Sequence, residues 1–211
     1  MKQTLAYRMR PQHLSDILGQ EHLVQENSIL NQFIKTRHPM SMILYGPPGC
    51  GKTTIATCLA NDLDIPYRIF NASTGNKKEM DTIIEEAKLY DGLFVIIDEV
   101  HRLNKDKQDH LLPHIESGLL VIVGCTTANP YHSINPAIRS RCHIFEVQPL
   151  QPSHIVQGLN KALVHEGYTA DDKVLDILAK LAGGDIRYAL NCLELCMIGC
   201  SNHHIQTEDI K

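Results

Sequence analysis

The stretch Leu44–Thr54, LYGPPGCGKTT, constrains this chain more than any other. Gly46, four residues, and then Gly51-Lys52-Thr53 have the Walker A spacing of a loop that wraps phosphates. Gly49 and Gly51 permit backbone turns that a side chain would obstruct. Pro47 and Pro48 carry no N–H, so the donors must come from Gly49, Cys50, Gly51, Lys52 and Thr53, with Thr54 at the same end of the next helix. Free N–H groups and the helix dipole favour an anion there. Lys52 is expected to reach the β- and γ-phosphates, and the Thr53 hydroxyl to ligate Mg²⁺. Met42–Tyr45 reads as a buried strand before the loop and Thr54–Asp62 as a helix after it. A strand, a phosphate loop and a helix in that order require an α/β fold.

Composition narrows the partners. The 211 residues carry 20 basic and 24 acidic side chains, a formal net charge of −4. With no global basic field, any nucleic-acid contact must use a local patch. Met1–Pro11 is polar and basic without the apolar centre of a signal peptide, and no apolar run approaches a membrane span. No membrane partner is expected. Seven cysteines without a secretion signal point to a reducing cytoplasm. Cys192, Cys196 and Cys200, with His203 and His204 beyond, invite a zinc reading. Against it, Ile186, Ala189, Leu190, Leu193 and Met197 form a helical apolar stripe beside them, and no Cys-x-x-Cys pair occurs.

Along the chain, apolar runs alternate with helical periodicity. Helices are expected at Ser28–Arg37, Lys77–Tyr90 and Lys105–Glu116, with a short one at Asn135–Ser140. Strands are expected at Pro66–Phe70, Leu93–Ile97, Leu119–Val123 and His143–Val147. The alternation implies a parallel sheet with ligands at the carboxyl ends of its strands. After Gln148-Pro149-Leu150, Ser153–His165, Asp171–Ala182 and Asp185–Gly199 all read as helices with no strand between them. The expected organisation is an α/β nucleotide-binding core over 1–149 and a small all-α lid over 150–211.

Leu93–Ile97 runs into Asp98-Glu99, the Walker B pattern. Asp98 is the expected second Mg²⁺ ligand, and Glu99 the residue that orients a water at the γ-phosphorus. Asp98-Glu99-Val100-His101 also spells a helicase box, but such helicases need a second nucleotide-binding domain that this chain lacks. A nucleotide kinase would leave Glu99 unexplained. The strand Leu119–Val123 leads to Thr126-Thr127-Ala128-Asn129, where Asn129 is the first candidate to hold the attacking water and Thr127 the second. Arg139 and Arg141 end the short helix that follows.

Together, Gly-Pro-Pro-Gly-x-Gly-Lys-Thr, the Asp-Glu strand end, the polar third strand end and Ser140-Arg141-Cys142 resemble the AAA+ ATPases of the clamp-loader group. The resemblance covers essentially the whole chain. It puts Asn129 at the sensor 1 position, Arg141 at an arginine finger that serves a neighbouring subunit, and Arg187 of Gly184-Asp185-Ile186-Arg187 at sensor 2. It makes Tyr7, Arg8, Ile17 and Leu18 contacts for the base of ATP. Ala6–Pro11, Ser41–Pro48 and Thr126–Pro130 resemble more narrowly the replication-associated recombination protein A family, whose eukaryotic relative is the Werner-helicase-interacting ATPase. That resemblance implies a bacterial, nucleoid-associated ATPase acting on DNA forks and single-strand/duplex junctions, beside other replication proteins. It also implies a homo-oligomer built through a further C-terminal domain that this sequence does not include. Departures from the family are Cys50, where Thr is commoner and which is expected to be oxidisable, and Ala128.

Arg102, Lys105 and Lys107 follow the Walker B strand and are candidate DNA contacts, balanced by Asp106 and Asp109. Rival readings are a protein-remodelling ATPase and a nucleotide-gated scaffold with little turnover. Ala72–Glu79 lacks the aromatic of a pore loop, and Glu99 argues against a dead site.

Overall fold

A computed structural model describes residues 3–200 and 202–210. Residues 1, 2 and 211, the outer ends of the two expected units, lie outside the described residues. The sheet contains β1 (Met42–Tyr45), β2 (Tyr67–Asn71), β3 (Leu93–Asp98), β4 (Leu120–Thr126) and β5 (His143–Glu146). All its pairings are parallel, in the order β2-β3-β4-β1-β5. Register brings the carboxyl ends together: Tyr45 lies level with Thr126 and Glu146, and Asn71 with Asp98.

The helices before the sheet are α1 (Leu5–Arg8), α2 (Glu21–Val24) and α3 (Ile29–Thr36). Those among the strands are α4 (Lys52–Leu63), α5 (Lys77–Leu89), α6 (Lys105–Glu116), α7 (Pro130–Ser133) and α8 (Pro136–Arg139). Then follow α9 (Pro152–Glu166), α10 (Asp172–Ala182) and α11 (Ile186–Gly199), with two-residue strands β6 (Thr169–Ala170) and β7 (His204–Ile205).

Alternation along the strands builds two apolar layers. Leu44, Phe94, Ile96 and Val123 face Ile55 and Leu59 of α4. Ile43, Val95, Ile97 and Ile122 face Ile84 of α5 and Leu111 of α6. Burial of each such side chain stabilises the fold by about 1.5–3 kcal/mol. The last three helices enclose a separate apolar cluster around Leu159, Leu178 and Leu193. Leu5 of α1 belongs to that cluster, and its N–H donates to Glu194 of α11 at 2.9 Å. The first helix therefore packs on the helical unit rather than on the sheet.

Three of the differences from the sequence expectations have a local physical cause. Helix α4 begins at Lys52, because Gly51 at φ +102° turns the chain straight into it. Strand β4 continues to Thr126, carrying the polar Thr126 to the rim of the sheet. The helical unit is not strand-free: β6 and β7 pair in parallel, because Gly167 at φ +74° stops α9 and releases extended backbone. Among the described residues, no helix is long and apolar enough to cross a membrane.

Candidate nucleotide site

A cavity of about 530 Å³ opens at the carboxyl edge of the sheet, between the Walker A loop, the ends of β3 and β4, residues 6–18 and the last helices. Lys52, buried at the start of α4, donates from Nζ to the carbonyls of Gly46 at 2.8 Å and Pro47 at 2.6 Å. Its ammonium is thus held at the loop it would share with phosphates. A Cβ on Gly51 would meet only open space, so the loop's free side faces the cavity.

Thr53 Oγ1 donates to Asp98 Oδ1 at 3.5 Å. A hydroxyl and a carboxylate side by side are the hard oxygen donors that Mg²⁺ prefers, so the residues present fit that ion. Glu99 sits at φ +53°, and its Oε2 accepts a hydrogen bond from Ser73 in the loop after β2. At the end of β4, Thr126 Oγ1 lies 2.9 Å from His101 Nδ1, and both Thr126 and Thr127 line the cavity.

The other end of the cavity is more apolar. Ile17 and Leu18 line it with Ala6, Met9, Pro11, Gly158, Ile186 and Leu190, and Arg10, Lys161 and Arg187 add cations. Gln20 locks this segment in place by a paired contact with Gln148. Its Nε2 donates to the Gln148 carbonyl at 2.7 Å, and its Oε1 accepts the Gln148 N–H at 3.0 Å.

Three expected contributors lie elsewhere. Arg8 is drawn away by two acids of the last helices: Nε meets Glu166 at 2.9 Å and a terminal nitrogen meets Glu194 at 3.3 Å. Tyr7 is exposed and borders a smaller adjoining hollow of about 180 Å³, with the Arg10 guanidinium 5.3 Å from its ring. Asn129 is exposed and caps α7, its Oδ1 accepting the Tyr131 N–H at 2.9 Å. Arg141, expected to serve a neighbouring subunit, lies outside this chain's cavity lining, bonded to the Ala137 carbonyl at 2.7 Å and paired with Glu116.

Cys50 is less exposed to oxidants than its motif position suggests. It is buried, Sγ contacts the Pro47 carbonyl at 2.9 Å, and burial pushes its thiol pKa up. Among the described residues no His, Cys, Asp and Glu group could hold a metal ion of the zinc kind, the cysteines of α11 included. Arg102 and Lys105 are exposed, whereas Lys107 is half-buried and donates to the Gly75 carbonyl at 2.7 Å.

Residues 9–135 match the family model of the Holliday junction DNA helicase RuvB P-loop domain. The replication-associated recombination protein A of Bacillus subtilis is 51% identical over 201 residues, covering 92% of this chain and 48% of that protein. The Escherichia coli protein of the same name is 39% identical over 204 residues, covering 92% and 46%. The chain belongs to the AAA+ ATPases, in the replication-associated recombination protein A family. It spans about half the length of the relatives it matches. The Thermotoga maritima RuvB Holliday junction branch migration motor has the same fold, with a TM-score of 0.83 at 25% identity over 96% of this chain and 70% of the other. The AAA+ P-loop fold is a nucleotide-binding one, and the Walker A residues 48–54 line the cavity.

The sequence reading missed Arg10, Ser73, Thr126 and Lys161. Of these only Thr126 carried a signal, as the polar end of an apolar strand.

Proposed function

We propose that the chain is the ATP-binding and ATP-hydrolysing module of a cytoplasmic, nucleoid-associated protein that acts on DNA at replication forks and in recombination. The observation that supports this most is the convergence of Lys52, Thr53, Asp98 and Glu99 on one cavity that the last helices cover. The names of its relatives, recombination proteins and a Holliday junction helicase, support the DNA side.

In this reading the chain up to residue 149 acts as the core, except that α1 joins the helices after 150 as part of the lid. The adenine end of ATP lies against Met9, Ile17, Leu18 and Ile186, while Tyr7 and Arg8 serve the lid rather than the base. Lys52 exchanges its loop carbonyls for phosphate oxygens. Thr53 and Asp98 would hold Mg²⁺, which supplies charge neutralisation along the phosphates. Glu99 orients the attacking water. Thr127, in the cavity wall, is better placed than Asn129 to hold that water. Arg187 approaches the phosphates from the lid of the same chain. Arg141, on an outer edge, serves a neighbouring copy, where such an arginine is worth about 10³–10⁵ in rate. Exposed Arg102 and Lys105 form the basic face toward DNA.

The test is phosphate release and nucleotide binding with and without forked DNA, for the chain, Lys52→Ala and Glu99→Gln. Lys52→Ala should lose ATP binding. Glu99→Gln should keep binding and lose turnover by at least a hundredfold. Unchanged ATP affinity in Lys52→Ala would overturn the reading.

A further inference from the structure

The lid meets the phosphate loop where an acid packs against a glycine. A Cβ built on Gly49 would overlap the carboxylate of Asp185, the residue that opens α11. Gly49 lies at φ +70° and lines the cavity. Asp185 is fixed from its own side, because its Oδ1 accepts the Tyr188 N–H at 3.0 Å as the helix cap. The turn that carries it is fixed as well. Gly184 packs so closely on the linker between β5 and α9 that a Cβ there would come within 2.9 Å of Pro149 Cβ, and its carbonyl accepts the Leu150 N–H at 3.3 Å. The linker, the turn and the loop are therefore one stack.

We propose that Asp185 is the residue through which the lid senses the loaded phosphate loop. This rests on the reading of the cavity as an ATP site. The cap geometry alone needs an acceptor, which Asn or Ser would supply equally well. What Asp adds is a negative charge seated on a loop whose N–H groups attract anions. A phosphate held by those groups would lie within the Debye length of that carboxylate, so the two charges are only partly screened from each other. Like charges on the two sides of Gly49 oppose each other. Loading the loop pushes the α11 cap off its seat and, through Gly184 and Leu150, turns the lid. Asp185 is thus a positioning residue: it acts on nucleotide through the loop and moves Arg187, two residues on.

Two measurements test this. Asp185→Asn keeps the cap and removes the charge. A fluorescent ADP analogue should bind it about three- to tenfold more tightly than the unaltered chain, while adenosine affinity stays the same. The second is a double-mutant cycle between Gly49→Ala and Asp185→Ser. Backbone strain at φ +70° is common to both backgrounds and cancels. Gly49→Ala alone should cost about tenfold in ADP affinity, and no more than threefold when combined with the shorter Asp185→Ser. Unchanged or weaker ADP binding by Asp185→Asn, or strictly multiplicative effects in the cycle, would overturn the proposal. Lys52→Ala is the control: if it binds ADP normally, the ATP-site reading itself has failed, whereas loss of binding confines a negative result to Asp185.

Discussion

The hydroxyl of Ser73 donates a hydrogen bond to Oε2 of Glu99, joining the loop after β2 to the carboxylate at the end of β3. Asn71 braces that loop by accepting the Ser73 N–H at 2.9 Å. One oxygen of Glu99 is thereby committed. If Glu99 orients the attacking water, Ser73→Ala should lower the ATP turnover number about three- to tenfold and leave ATP affinity unchanged, because the lost bond positions Glu99 rather than nucleotide. Steady-state kinetics with an independent binding titration check this. An equal change in both quantities would place Ser73 in binding instead.

Arg141 lies on the outer edge of the chain, paired with Glu116. If it acts on a neighbour's nucleotide, Arg141→Ala should abolish turnover while ATP binding persists. Mixing Arg141→Ala with Lys52→Ala should restore part of the activity, since some mixed contacts then combine an intact loop with an intact arginine. Activity per chain should also rise with concentration. A mixture no more active than its parts would remove Arg141 from catalysis.

His13 Nδ1 lies 2.6 Å from Asp62 Oδ1, and the other oxygen of Asp62 accepts the Leu14 N–H at 2.8 Å. The hydrogen bond and the charge of Asp62 raise the His13 pKa above its ordinary value. A raised folded-state pKa stabilises the fold fully below the unfolded value of about 6.5, and the gain fades as pH rises through the folded value. His13 is well exposed, so the effect is small. The difference in urea midpoint between the unaltered chain and His13→Gln should therefore shrink from pH 5.5 to pH 8.5. A difference that grows with pH would contradict the pairing.

Burial pushes the thiols of Cys58, Cys125 and Cys142 up to about 12. At pH 8 their thiolate fraction is on the order of 10⁻⁴, so alkylation in the folded protein should be slow. Cys192 and Cys200, partly exposed on and just past α11, should label first. Time-resolved labelling followed by peptide mass analysis checks the order. Early labelling of Cys125 would mean that the sheet opens far more readily than its packing allows.

The parts of the site that were legible in the sequence are those encoded over short distances. Lys52 and Thr53 follow from glycine spacing, and Asp98 and Glu99 from the end of an apolar strand. The parts that were not legible depend on distant partners. Arg8 and Arg10 lie two residues apart, and nothing local tells which one faces the cavity. Glu166 and Glu194 decide it by claiming Arg8 across separations of 158 and 186 residues. The contact between Asp185 and Gly49 is likewise a product of packing, although each residue sits in a recognisable motif. Asn129 illustrates the converse. A polar residue after a strand can be used to cap the next helix, and its side chain is then occupied with local backbone.

The ionic tie of Arg8 to α9 and α11 has a practical side. Residues 5–8 are riveted to the lid, while residues 9–18, immediately after them, form one wall of the nucleotide cavity. Whatever is fused ahead of residue 5 is coupled to the lid, and its bulk or drag acts on that wall. A purification tag, dye or surface tether attached there would report on gating while also disturbing it. Attachment on the far side of the sheet, along exposed α5 positions such as Leu89, would leave the lid free.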